Sequence, residues 1–134
     1  MRDSILFLIS IAGGGALGAL LRYSISGLDY RIIGPILPWG TLVVNMIGSF
    51  FMGGVWNLSN QFAIPEPIRL FITVGMLGAF TTFSTYALET VNLFRDGDII
   101  FGFYNILLSN LVGIIALFSG IFVCRFIVYL IRWV

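Results

Sequence analysis

The sequence predicts an all-α integral membrane protein of four helices, the third of them broken. Three observations carry this. First, 59% of the 134 residues are hydrophobic and only 10% are charged, with a mean hydropathy of +1.05, where a soluble domain carries roughly 25% charged residues. Second, the charges punctuate the apolar runs at membrane-sized intervals. Uncharged stretches cover 4–21, 32–65, 70–88 and 99–124, and about 20 apolar residues cross a bilayer core. Third, the stretch from Gly75 to Glu89 lies within an apolar segment yet holds two glycines, adjacent Thr81 and Thr82, then Ser84 and Thr85. Glycine and threonine are poor choices for a plain helix. A break at membrane depth is tolerated only where the freed backbone is buried in protein or lines a polar cavity, so a discontinuous helix holding a mid-membrane ion site is expected.

The run 32–65 is too long for one crossing, and Pro35, Pro38 and Trp39 mark a loop and an interface before Gly40. Four spans follow, about 4–27, 40–62, 68–94 and 99–129, in a single transmembrane domain over 1–134. The short connections make successive helices antiparallel neighbours. In span 1, Gly14 and Gly18 form a GxxxG pair suited to close helix packing. Arg22 lies one turn further on the same face. It either snorkels to the interface, anchors a buried polar cluster, or enriches anions at a pore mouth. In span 2, Thr41, Asn45, Ser49 and Gly53 recur every four residues as one narrow polar and small stripe. Asn45 either glues helices together or faces a pore as a donor, and the stripe around it favours the pore. Span 4 carries a weaker polar face with Tyr104, Asn105, Ser109 and Asn110. Cys124, alone in the chain, fits a small packed residue.

The charge balance bears on orientation. All seven basic residues are arginine. Arg2, Arg69, Arg125 and Arg132 flank one side, and Arg22, Arg31 and Arg95 the other. So even a split gives the chain almost no preferred topology. Two copies inserted oppositely would then pair about a two-fold axis in the membrane plane, as an antiparallel dual-topology homodimer. A net charge of +1 argues against a nucleic-acid partner.

No enzyme assembles from these residues. The chain has no histidine, no metal-ligand cluster and no phosphate-binding glycine loop. Glu89, the acid next to the third apolar run, suits either a proton relay or a cap at a pore mouth. Phe83 and Tyr86 share a helix face, with Thr82, Thr85 and Glu89 on the next. Ring edges are electropositive, so a dehydrated anion can rest on them while taking hydrogen bonds from Asn45 and nearby hydroxyls. By residue type alone, packing is the better account of the two rings.

The stretch Gly78-Ala79-Phe80-Thr81-Thr82-Phe83-Ser84-Thr85, with Gly40-Thr41-Leu42-Val43-Val44-Asn45 and the earlier Gly14, Ala16, Gly18, Arg22 and Tyr23, resembles the Fluc (CrcB) family of bacterial fluoride channels. The likeness runs through the whole chain. It implies an antiparallel homodimer in the bacterial inner membrane that exports fluoride through two routes around one structural sodium ion. By position, Asn45 matches the pore asparagine and Phe83 the first of an aromatic pair. Tyr86 stands where the second phenylalanine is usual. Ser84 and Thr85 match polar neighbours of that pair, Asn110 a polar position of span 4, and Gly78 and Thr81 the carbonyl ligands of the sodium.

A four-span proton-coupled exporter of cationic drugs is the rival reading. It requires a carboxylate inside a span; span 1 has none, and Glu89 sits toward the end of span 3. A non-transporting assembly factor would have little use for the polar stripes.

Overall fold

The computed structural model describes residues 2–26 and 37–133, and among them every regular element is helical. Residue 27, where the first span was expected to end, and the loop residues Arg31 and Pro35 lie outside the described residues. The elements are α1 (Arg2–Ser26), α2 (Trp39–Gln61), α3 (Glu66–Leu70), a π-helical stretch (Phe71–Leu77), α4 (Gly78–Phe80), α5 (Phe83–Arg95) and α6 (Ile99–Trp133). α3, the π stretch and α4 form the leading limb of the third crossing, and α5 forms its trailing limb. Four helical rods, Asp3–Ser26, Trp39–Gln61, Glu66–Arg95 and Ile99–Trp133, are long and apolar enough to cross a membrane. The chain is therefore a multi-pass membrane protein.

Local chemistry sets the boundaries. Pro65 and Pro67 flank Glu66 at the start of α3, where a missing N–H costs nothing and a fixed φ favours helix. Arg69 closes that turn with both Glu66 carboxylate oxygens, at 2.6 and 2.7 Å. Gly97, at φ 88°, turns the chain between α5 and α6. Its N–H donates to the Phe94 carbonyl, and the Asp98 N–H to that of Leu93. The left-handed conformation is open to glycine without a Cβ clash, and the tight turn lays α6 back beside α5.

Glycine seams draw the rods together. α1 runs along the leading limb, and a Cβ on Gly18 would collide with the Met76 carbonyl, as one on Gly14 would with that of Phe71. α2 lies against α6 through a similar contact, Gly120 meeting the Phe50 carbonyl. In lipid, where tails are as apolar as leucine, such close backbone approach supplies much of the association. The buried apolar side chains are few: Val44, Leu77, Phe80, Ala116 and Val128. Leu8, Ile100, Phe122 and Ile131 point outward, as side chains facing acyl chains can. α6, at 35 residues, is about 52 Å long, well beyond a hydrocarbon core of about 30 Å.

The third rod breaks in its middle, as its hydroxyl-rich sequence predicts. The interruption is confined to two residues. Thr81 (φ −78°, ψ 155°) and Thr82 (φ −148°, ψ 113°) are extended between α4 and α5. The π-helical stretch just before it has no counterpart in the expectations from sequence.

Candidate functional site at the helix break

Breaking a helix strands backbone groups, and the position of their replacement partners defines this site. The Asn45 side-chain amide, reaching from α2, pairs with both faces of the Thr82 peptide. Thr82 N–H donates to Asn45 Oδ1 at 2.8 Å, and Asn45 Nδ2 donates to the Thr82 carbonyl at 3.2 Å. Thr82 also caps α5: its Oγ1 accepts from the Thr85 N–H at 3.2 Å and donates to Thr85 Oγ1 at 2.9 Å. Ser84 Oγ lies 3.4 Å from the same hydroxyl. Threonine is a good N-cap because its side chain takes up one stranded N–H.

These bonds have a consequence for two carbonyls. In a continuous helix the Gly78 carbonyl would accept from Thr82 N–H, and that of Thr81 from Thr85 N–H. Both donors are diverted, the first to Asn45 and the second to the Thr82 hydroxyl. Gly78 is also exposed and Thr81 partly so. The break thus takes from both carbonyl oxygens the donors that a continuous helix would give them.

The stripe of α2 faces the rest of its own chain. Thr41 donates to Glu89 Oε1 at 2.7 Å, Asn45 meets Thr82, and Gly53 abuts Leu117 of α6. Glu89 sits at the midpoint of α5, half-buried beside Thr41. Arg22 lines a cavity of about 380 Å³ together with Ala19, Tyr23, Ser26, Thr41, Val44, Thr82 and Thr85. That cavity joins an arginine to Thr82 and Thr85 at the break and to Thr41 of α2. Tyr23 and Ser26 were not anticipated there.

Beside the break, Phe83 is 78% exposed, and Ser84 and Thr85 are exposed with it. The Phe83 and Tyr86 rings are 5.3 Å apart between centroids and tilted by 59°. A polar ladder ties α5 to α6. Thr90 donates to the Tyr86 carbonyl at 2.8 Å, Asn105 Nδ2 donates to Thr90 Oγ1 at 2.9 Å, and Ser109 donates to Asn105 Oδ1 at 3.3 Å. Asn110 Nδ2 reaches the Tyr86 hydroxyl at 3.3 Å and the Ile106 carbonyl at 2.7 Å. Tyr104 is exposed on the same helix and has no part in this ladder. Among the described residues, no group of three or more histidines, cysteines, aspartates or glutamates gathers that could hold a metal ion.

Sequence reasoning named Asn45, Thr85, Tyr86 and Asn110 but undervalued Thr82 and Thr90. Thr82 was readable as an N-cap, a threonine ahead of a helical run. Thr90 sits one turn beyond Tyr86, and only the turn at Gly97 sets it against Asn105.

Comparison with known proteins adds an independent line. Residues 9–121 match the family described as CrcB-like protein, Camphor Resistance (CrcB). A protein of Salinibacter ruber named fluoride-specific ion channel FluC is 45% identical over 113 residues, 84% of this chain and 85% of that protein. Proteins of the same name are 45% identical in Geobacter sp. strain M21, over 88% of this chain and 96% of the relative, and in Magnetococcus marinus, over 87% and 96%. The match extends through all four helical rods, the break and its asparagine brace included, and the chain belongs to the CrcB family.

Proposed function

We propose that this protein is a fluoride channel, not an enzyme, which lets fluoride leave the cell down its electrochemical gradient and so limits fluoride toxicity. The observation that carries the reading is the face beside the break, where Phe83, Ser84 and Thr85 are exposed on a single chain in the middle of a rod of membrane-crossing length. Lipid cannot satisfy hydroxyls at that depth. A second copy can cover them, and the near-even split of arginines supports one inserted in the opposite sense. The working unit is accordingly an antiparallel dual-topology homodimer in the bacterial plasma (inner) membrane, surrounded by lipid.

In this reading the cavity beside Arg22 is the mouth. An anion gathers at the guanidinium beside Thr41, loses water stepwise against Thr85 and the second Asn45 amide hydrogen, and passes along the Phe83 and Tyr86 rings. Ser84 lends a further neutral donor, and Asn110 lines the route beside Tyr86. The narrow stretch lacks a fixed positive charge, so each stop is weak enough to leave. The Thr41–Glu89 bond keeps the carboxylate of Glu89 engaged at the edge of the route.

A sodium ion fits the two diverted carbonyls. Gly78 and Thr81, with the same pair from the opposed copy, would hold it as hard-oxygen ligands. Such an ion supplies positive charge that binds two broken rods at their carbonyl ends. The chain's own part is the Asn45 brace and the Thr82 cap, which keep those oxygens from returning to a helix.

Reconstituted vesicles loaded with fluoride and chloride test the function. Fluoride should appear outside on a fluoride electrode while chloride stays in, and Phe83→Ile should abolish that flux with the dimer intact. Proton-driven dye uptake without fluoride release would instead make it a cation exporter working through Glu89.

A further inference from the structure

We propose that Asn110 aims the hydroxyl of Tyr86, making Tyr86 an O–H donor to the anion and Asn110 a positioning residue for selectivity. This rests on the fluoride-channel reading.

The Asn110 amide has one possible orientation. Its nitrogen lies 2.7 Å from the Ile106 carbonyl, and only N–H can face a carbonyl oxygen at that distance. The amide orientation is therefore fixed. The same nitrogen lies 3.3 Å from the Tyr86 hydroxyl oxygen, so Asn110 donates and Tyr86 accepts. A phenol hydrogen prefers the ring plane, where it has two positions. A donor already occupies the Asn110 side, which leaves the hydroxyl hydrogen on the other. Accepting one hydrogen bond also polarises the O–H as a donor, by about 10–30% in condensed-phase estimates.

The ring is held firmly enough for this aim to matter. Thr90 donates to the Tyr86 backbone carbonyl, Asn105 donates to Thr90, and Ser109 donates to Asn105. Phe83 packs 5.3 Å away by centroids. Tyr86 is thus restrained at its backbone, while its ring meets the exposed Phe83 ring and its hydroxyl meets Asn110. A neutral donor at a fixed place attracts a small hard anion more strongly than a larger halide, because the attraction falls with separation.

The test is a double-mutant cycle on the full chain in vesicles, with two readouts. One is the fluoride concentration that gives half-maximal efflux; the other is the ratio of fluoride to chloride flux. Tyr86→Phe keeps the ring and removes the hydroxyl. It should raise the half-maximal concentration about 10-fold, the lower end for a hydrogen bond to an ion, and lower the ratio. Asn110→Leu, at an exposed position, should move both in the same direction by about threefold. Added to Tyr86→Phe, Asn110→Leu should change neither further. A purely structural Asn110 would act equally with and without the hydroxyl, and that result overturns the proposal. So does a Tyr86→Phe protein with unchanged half-maximal concentration and ratio. If the unmodified chain releases no fluoride, the channel reading itself fails, an outcome separate from a conducting chain whose two variants act independently.

Discussion

The two limbs of the third crossing are held by different physics. The leading limb, through Phe80, is fixed by shape: Gly14 and Gly18 let α1 settle directly onto the Phe71 and Met76 carbonyls. The trailing limb, from Phe83, is fixed by hydrogen bonds. Asn45 and Thr41 grip its near end and middle from α2, and Asn105 and Asn110 grip it from α6. Among the described residues no side-chain hydrogen bond joins the leading limb to α1, whereas the trailing limb adds such bonds to the packing of Phe94 against Gly102 and Phe103. A rigid, closely packed limb positions the break. The trailing limb leaves Phe83, Ser84 and Thr85 exposed beside the break, where the proposed route runs.

If the leading limb is held by contact alone, the largest effect should come from filling its seam. Gly18→Leu puts a side chain where the Met76 carbonyl lies, and no rotamer relieves a clash that begins at Cβ. Overpacking costs about 1–3 kcal/mol when side chains can adjust. Here backbone must move, so the expected loss is about 4 kcal/mol or more. Little folded protein should survive detergent extraction, read as the collapse of the main peak in size-exclusion chromatography. A wild-type-like peak would mean that α1 is not docked as described.

The trailing limb should respond in a different way. Asn45→Leu removes both partners of the Thr82 peptide. An unpaired buried backbone group costs about 1–3 kcal/mol, and the chain has an escape: Thr82 N–H can return to the Gly78 carbonyl and heal the helix. The expected outcome is a folded protein in which the Thr82 amide exchanges with deuterium more slowly, as in a helix interior, and fluoride flux is lost. Faster exchange at Thr82 with flux retained would show that the asparagine is not what holds the rod broken.

The two limbs also differ in how legible they were. The break was readable because its residues contradict their setting: Thr81, Thr82, Ser84 and Thr85 are hydroxyl residues in an apolar run, and composition alone flags them. The glycine seam was readable for the same reason, from the spacing of Gly14 and Gly18. Partners were harder. The stripe of α2 favoured a pore-facing Asn45 over an inter-helix bond and did not name its partners. The structure gives Thr41 the carboxylate of Glu89, and Asn45 a peptide that exists only because the helix is broken. The π-helical stretch Phe71–Leu77, which lies against α1, had no counterpart in the sequence pattern. Thr90 is an ordinary helical residue until the Gly97 turn brings Asn105 to it.

That last pair provides the finest test of the contrast. Thr90 accepts from Asn105, a residue only 4% exposed, and donates to the Tyr86 carbonyl one turn back. Thr90→Val is nearly isosteric, so packing is kept while both bonds vanish. Interhelical hydrogen bonds in membranes average about 0.6 kcal/mol and reach about 1.7. Asn105 keeps Ser109 as a donor to its oxygen, which limits the damage to the amide nitrogen. A loss of about 1 kcal/mol, measured by reversible unfolding in detergent, is expected. It should be smaller than the effect of Gly18→Leu and confined to the contact between α5 and α6. A loss of the same size as that of the glycine variant would mean that the trailing limb, too, is held chiefly by fit, and that its hydrogen bonds are incidental to its position.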